Sequence, residues 1–288
     1  MKNCLVKKLK AVVDNNNLEY LGGIEFIINS ESDITGQVVR SIATDSARIT
    51  VIGNGTMTVN TSPATTYGDG ETFVIPNLVR TLTFSAGNYK VRIDNKYALA
   101  ELRFGGVAWK SLNQVKNCND ITILVATTLG YVPGNLSSLE GMTQMTQLSM
   151  DRTYGYEGNI KSLGKLTALT TLNITKNSSY PSLIEGDVLD FVGEQVKSGR
   201  TTMSSNSPLS CNGILEQVTF NGKTFSNASS ARMTWESSNG VPTKIAVYNG
   251  SSVAGAARVI IYGYSAAEIA TNTASGGIWN GKTVQQVD

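Results

Sequence analysis

The sequence predicts a mainly β protein with a short α/β solenoid, ordered as an N-terminal β domain, central repeated coils and a C-terminal antiparallel β domain. Three observations carry this. Alternating apolar runs occur on both flanks, Asn-Gly and Gly-rich turn signals separate them, and between the flanks leucines recur every third residue before giving way to alternation. The expected boundaries are a docking segment at 1–20, a β-sandwich-like domain at 21–104, the solenoid at 105–202 and the C-terminal β domain at 203–288.

The opening "MKNCLVKKLKAVVDNNN" places Lys2, Lys7, Lys8 and Lys10 among Leu5, Val6, Leu9, Val12 and Val13. Such a segment suits a strand or helix tied into the first domain, or docking on nucleic acid, a membrane surface or a groove of a partner. No apolar run of seven or more follows the lysines, and no window approaches eighteen apolar residues, so a soluble protein made in the cytoplasm is expected.

From about Leu18 to Phe104 the chain reads as strands. "ARITVIGNGTMTVN" is expected to fold as a pair around Gly53, Asn54 and Gly55, and "TLTFSAGNYKVRIDN" as a second pair around Gly87 and Asn88.

The middle is repetitive. Setting "GNLSSLEGMTQMTQLSM" on "GNIKSLGKLTALTTLNI" pairs Gly134 with Gly158, Leu139 with Leu163, Met142 with Leu166, Met145 with Leu169, Leu148 with Leu172 and Met150 with Ile174, each 24 residues apart. A third copy, "WKSLNQVKNCNDITI", is expected 51 residues upstream, placing Leu112, Val115, Cys118, Ile121 and Ile123 in the columns of Leu163 to Ile174. A partial fourth begins at "GDVLDFV", with Gly186, Val188 and Phe191 28 residues after Gly158, Ile160 and Leu163. A period in the twenties marks coils that cannot bury their apolar face alone. The spacing of three predicts a short helical segment, and Leu172 with Ile174 a short strand.

After the polar "KSGRTTMSSNSPLSCNG", read as a linker or long loop, hairpins return. "ILEQVTFNGKTF" is expected to turn at Asn221 and Gly222, "ARMTWESSNGVPTKIAVYNG" near Asn239 and Gly240, and "ARVIIYGY" forms a third strand. Tyr248, Tyr262, Tyr264, Trp235 and Trp279 make this region aromatic, and so the expected surface for self-association or a receptor.

Composition narrows the chemistry. The net charge of +2 offers no overall basic excess for nucleic acid, and the absence of histidine removes the commonest general base and metal ligand. Cys4, Cys118 and Cys211 are odd in number and far apart, which suits structural thiols rather than disulfides or zinc. "GGIWNGKT" fits a phosphate-loop pattern from Gly276 to Thr283, yet only "VQQVD" follows where a helix is needed. "FNGKTF" at Phe220 to Phe225 repeats the tetrapeptide, so both copies are expected to be tight Asn-Gly hairpin turns. Glu185, Asp187 and Asp190 suit either a carboxylate or calcium site or, on the reading taken, a helix from Asp187 as N-cap to about Val196 with Lys197 and Arg200 near its end. No catalytic residue, cofactor or metal is expected.

"LGKLTALTTLNITKN" resembles the leucine-rich repeat in Leu163, Leu166, Leu169, Leu172, Ile174 and Asn177, with Thr153 and Ala126 in the asparagine column of the earlier copies. The opening twenty or so residues, followed by a β domain and irregular repeats, are similar to virion proteins of tailed bacteriophages of Bacteroidales, crAss-like phages among them. That resemblance implies a non-enzymatic head fibre or capsid decoration, or else a tail appendage. Its N-terminus would dock on capsid or tail proteins, and its C-terminal domain would face outward or mediate a homodimer or homotrimer. No nucleic-acid or membrane partner is implied. The alternatives are a bacterial cell-surface or secreted leucine-rich-repeat binding protein with a host or glycan ligand, and a glycan depolymerase with a carboxylate pair in a groove.

Overall fold

The structure, a computed structural model, describes residues 23–127, 130–225, 231–249 and 258–288. The expected docking segment 1–20 and Cys4 lie outside the described residues. The described chain is mainly β and divides into two compact units, one formed by its residues from 23 to 142 with 154–156, the other by those of 143–153 and 157–288.

The first unit holds β1 (Gly23–Ser30), β2 (Ile34–Ser41), β3 (Arg48–Ile52), β4 (Met57–Val59), β5 (Thr65–Tyr67), β6 (Thr72–Val74), β7 (Arg80–Phe84), β8 (Gly87–Asp94), β9 (Leu99–Arg103), β10 (Ala108–Trp109), β11 (Ile123–Val125) and β12 (Tyr131–Asn135). One sheet has the order β10-β1-β8-β3-β6, and a second runs β11-β9-β2-β7-β4-β5. Strand period two sends Ile24, Phe26 and Ile28 of β1 inward, all fully buried. The facing sides share an aromatic core in which the Phe104 ring meets Phe26 of the first sheet at 4.6 Å, tilted by 55°, and Phe84 of the second edge-on at 5.3 Å.

The two expected hairpins do not form. β3 pairs with β8 and β6, whereas β4 pairs with β7 and β5, so Gly53–Gly55 carries the chain from one sheet to the other. The same holds for β7 and β8 across Ser85–Ala86. Tyr89 fills both crossings. Its hydroxyl lies 3.0 Å from the carbonyls of both Thr56 and Ser85, which share its one proton, and its ring lies where a Cβ on Gly55 would sit 2.1 Å from Cε1. Alternation announces a strand but not its partner, and here burial of one apolar face per sheet decides the pairing.

On β1 a buried carboxylate is held by two partly exposed cations. Glu25 accepts from Arg92 at 2.6 Å and Lys110 at 2.9 Å, and its backbone amide donates to Gln114 at 3.1 Å. Burial raises the Glu25 pKa, but the two cations outweigh it and hold the carboxyl below its ordinary value.

Repeated turns enter within this unit. A 3-10 turn at Leu112–Val115 is capped by Ser111, and a second at Leu136–Leu139 by Asn135. The Asn113 side-chain oxygen links them, accepting from the Asn135 amide at 3.0 Å and the Ser138 hydroxyl at 2.7 Å. β11 lies parallel to β9, with Leu124 opposite Leu102.

The second unit holds β13 (Gln147–Ser149), β14 (Tyr154–Asn159, shared with the first), β15 (Thr171–Asn173), β16 (Leu183–Glu185), β17 (Leu209–Asn212), β18 (Ala231–Ser238), β19 (Val241–Asn249), β20 (Arg258–Tyr262) and β21 (Thr283–Gln286). A 3-10 turn at Ile160–Lys165, capped by Asn159, precedes β15. Helical turns therefore begin at Leu112, Leu136 and Ile160, and strand centres fall at Leu124, Leu148 and Leu172, in equal steps of 24 residues. This corrects the upstream copy, which lies 48 residues before the Ile160 copy and not 51, so that Leu112 corresponds to Ile160 and Leu124 to Leu172. A pattern repeating every three residues matches itself when slid by three, and only the strand positions fix its register.

The fourth copy keeps the cap and enlarges the turn. Asp187 stands 28 residues after Asn159 and caps a full α-helix, Val188–Lys197, as expected. Its fully buried Gln195 donates to the Leu166 carbonyl at 3.1 Å. The chain then returns through β17, a strand inside the stretch expected to be linker, parallel to β15 with Cys211 opposite Leu172.

From β17 the sheet continues as β17-β18-β19-β20-β21. The β18–β19 hairpin turns at Asn239 (φ 52°) and Gly240 (φ 76°), the positive pair that a two-residue type I′ turn requires. The region is not purely antiparallel, because a helix, Ala266–Thr273, intervenes between β20 and β21 and the two strands are parallel. "ILEQ", expected as strand, is a helical turn at Ile214–Gln217.

Candidate functional site

The groups singled out in the sequence are held by the fold in specific ways. Lys282 of "GGIWNGKT" donates to the Ile278 carbonyl at 3.1 Å and stands 5.9 Å over the Tyr248 ring. A helix precedes this stretch and a strand follows it, the reverse of a phosphate loop's strand-then-helix order. Nor is it a hairpin, since the Lys282 amide closes on the Trp279 carbonyl at 3.0 Å and only Gly281 of the Asn-Gly pair has positive φ. The other copy is a tight turn: Phe220 and Lys223 exchange backbone bonds, and Asn221 (φ 48°) and Gly222 (φ 72°) are both left-handed.

Asp187 joins that turn to the helix. One carboxylate oxygen accepts from the amides of Leu189 (2.8 Å) and Asn221 (3.0 Å), the other from the Gly222 amide (2.9 Å) and the Thr219 hydroxyl (2.7 Å). Burial raises its pKa, but these four bonds outweigh that and keep it below 3.8. Glu185 is exposed on β16, and Asp190 is exposed in the helix's first turn. Among the described residues no group of three or more Cys, Asp or Glu side chains is placed to hold a metal ion. Cys118 and Cys211 are fully buried, and burial pushes the Cys118 thiol up to about 12 and Cys211 higher still. Among the described residues no helix is long and apolar enough to cross a membrane.

The aromatic residues of the last third turn inward. Trp235 and Trp279 are each 1% exposed and contribute no open surface, whereas Tyr248, Tyr262 and Tyr264 are half-buried. Trp279 instead seals a small core of Ala246, Val259 and Ile261 beneath the helix Ala266–Thr273.

Beside that core is a pocket of about 330 Å³. β18 supplies Glu236 and β19 supplies Lys244, which register opposite one another. The helix supplies Glu268 and Asn272, the segment 202–205 forms the far wall, and Ile278 lies at the rim. Antiparallel bonds between Met203 and Trp235, at 2.9 and 3.1 Å, fix that wall to β18. The Trp235 indole donates to the Arg200 carbonyl at 3.0 Å.

Lys244 organises the charge. It lies 3.0 Å from Glu236 and 2.7 Å from Glu268, with its ammonium 5.7 Å over the Tyr264 ring. Glu268 also accepts from the Ser265 amide and hydroxyl, completing the capping box that starts the helix. The hydrogen bond from Lys244, with those from Ser265, brings the Glu268 carboxyl down to about 2, while Lys244 is raised by both partners. The two carboxylates share one ammonium and so lie within about 6 Å of each other, near the separation of a glycosidase pair. Such a pair needs one carboxyl held protonated and the other ionised. Glu268, at about 2, is ionised near neutrality.

Of the lining, the sequence marks Trp235 and Tyr264 as aromatics but none of Glu236, Lys244, Glu268 and Asn272. The one local signal is Ser265-Ala-Ala-Glu268, a capping-box spacing that announces the helix; Glu236 and Lys244 meet only through the hairpin. No family model, curated protein or solved structure matches the chain.

Proposed function

We propose that the chain is a non-enzymatic structural component of a tailed-phage virion, a head fibre or capsid decoration rather than a tail appendage. On this reading its N-terminal segment docks on other virion proteins, its central coils are leucine-rich-repeat-like, and its C-terminal part faces outward or joins two or three copies. The observation that carries the non-enzymatic reading is the commitment of chemically capable side chains to structure. Asp187 is saturated by four donors, Glu268 is ion-paired in a helix cap, and Lys282 closes a turn. The coil reading draws on the caps Ser111, Asn135 and Asn159, each followed by a 3-10 turn, and on Asp187, which starts the full helix. The virion assignment draws on the resemblance of the amino-terminal segment and the repeats to such proteins.

Immunogold microscopy of purified phage particles, with antibody raised against the recombinant chain, tests it. Label on heads is expected. Label at tails would move the protein to host adsorption, and unlabelled particles with the protein on bacterial cells would favour the second reading, a cell-surface or secreted leucine-rich-repeat binding protein. Light scattering on the purified 30.7 kDa chain is expected to give two or three times that mass.

A further inference from the structure

We propose that the pocket bounded by β18, β19 and the helix Ala266–Thr273 is a subsite for a neutral saccharide. This does not rest on the virion assignment, since a sugar subsite serves a particle or a cell surface equally.

Size and chemistry argue for it together. A volume of about 330 Å³ falls at the small end of ligand pockets, room for roughly one or two sugar rings. Part of the lining presents groups that both donate and accept: the hydroxyls of Thr202, Ser204 and Ser205 on the far wall and the amide of Asn272 on the helix, none hydrogen-bonded through its side chain among the described residues. These match a ligand whose polar atoms are hydroxyls, because each hydroxyl also donates and accepts.

The ion-paired groups of the lining exclude charge. Lys244 is already matched by Glu236 and Glu268, so an anion meets two carboxylates before it gains an ammonium. A cation must displace Lys244 from both. A neutral polyol perturbs neither bond and uses the carboxylate lone pairs that remain. Ile278, 53% exposed at the rim, offers apolar contact to the C–H face of a ring. The bonds between Met203 and Trp235 and the capping box hold opposite walls in place before any ligand arrives, which lowers the ordering cost of binding.

The test uses the full chain, with calorimetry and ligand-observed NMR. The probes are neutral hexoses, deoxyhexoses, N-acetylhexosamines and their disaccharides, with sialic acid and glucosamine as charged comparators. At least one neutral sugar is expected to bind in the millimolar range or tighter, ahead of both comparators. Asn272→Ala should weaken it about tenfold, the equivalent of one lost hydrogen bond, and Ser204→Ala by a smaller factor. Circular dichroism identifies a variant that has lost its fold, and Thr202→Ala then replaces it. Binding by none of the neutral probes, tighter binding of a charged comparator, or affinity unchanged in folded Asn272→Ala and Ser204→Ala proteins would each overturn the proposal. Particle labelling is unaffected by any of these results, so the two readings fail separately.

Discussion

Four hydrogen bonds converge on Asp187, and each satisfies a donor that the local backbone leaves open: the first turn of the helix Val188–Lys197, the Asn221–Gly222 turn and the Thr219 hydroxyl. Asp187→Ala removes an N-cap and strips partners from the turn, a cost of about 2–3 kcal/mol by urea denaturation. The pH dependence has a definite sign. Because the folded carboxyl titrates below 3.8, the unfolded chain binds its proton first as pH falls. The stabilisation is complete above the unfolded pKa and is lost as pH drops through the folded one. Wild-type stability is therefore expected to decline below about pH 4, and Asp187→Asn to flatten that decline; an unchanged slope would remove Asp187 from the account. Its role as helix cap is legible in the sequence, where an acid precedes an amphipathic run. Its hold on residues 34 and 35 positions later is not, because no local pattern records which turn will fold back onto a cap.

At the scale of elements, the same device recurs with different residues. Asn135 and Asn159 accept from the backbone amide two residues on and start their 3-10 turns. Replacing either with alanine is expected to cost about 1 kcal/mol, as for other N-caps. Gly213→Ala should cost more, because φ is +80° there and a Cβ would lie 2.5 Å from the Thr175 backbone. Equilibrium unfolding of the three single variants checks the order. The existence of the repeated turns is legible because leucines at threes have few other uses. Their register is not, and the first copy slides by one step until β11 is placed. Asn-Gly shows the same limit: identical dipeptides make left-handed pairs at 221–222 and 239–240, yet a different turn at 280–281, where a helix arrives instead of a strand. The pocket was illegible for a related reason. Glu236 and Lys244 face each other only because the hairpin aligns them, and Glu268 reaches them from a helix that enters after β20.

For the whole molecule, the mainly β class follows from alternation alone, whereas the partition of strands between sheets follows from burial. In the first unit neighbouring strands along the chain repeatedly enter different sheets, while the second holds a direct hairpin run β18–β19–β20. The three tryptophans separate these units, with Trp109 in the first and Trp235 and Trp279 in the second. After a denaturant jump, Trp109 fluorescence in a Trp235→Phe/Trp279→Phe protein should recover more slowly than Trp235 and Trp279 fluorescence in a Trp109→Phe protein, because distant pairings close larger loops. Equal rates would mean that the two units fold as one. The crossing of β3 and β4 between sheets also sets a clock for synthesis. β1 leaves the ribosome early, yet Gly23 pairs with Asp94 and Phe26 with Trp109. At about 5–20 residues per second, its apolar face waits several seconds for those partners, exposed to any neighbouring nascent chain. Slower growth at low temperature, or a co-expressed holdase chaperone, should therefore raise the soluble yield of this protein.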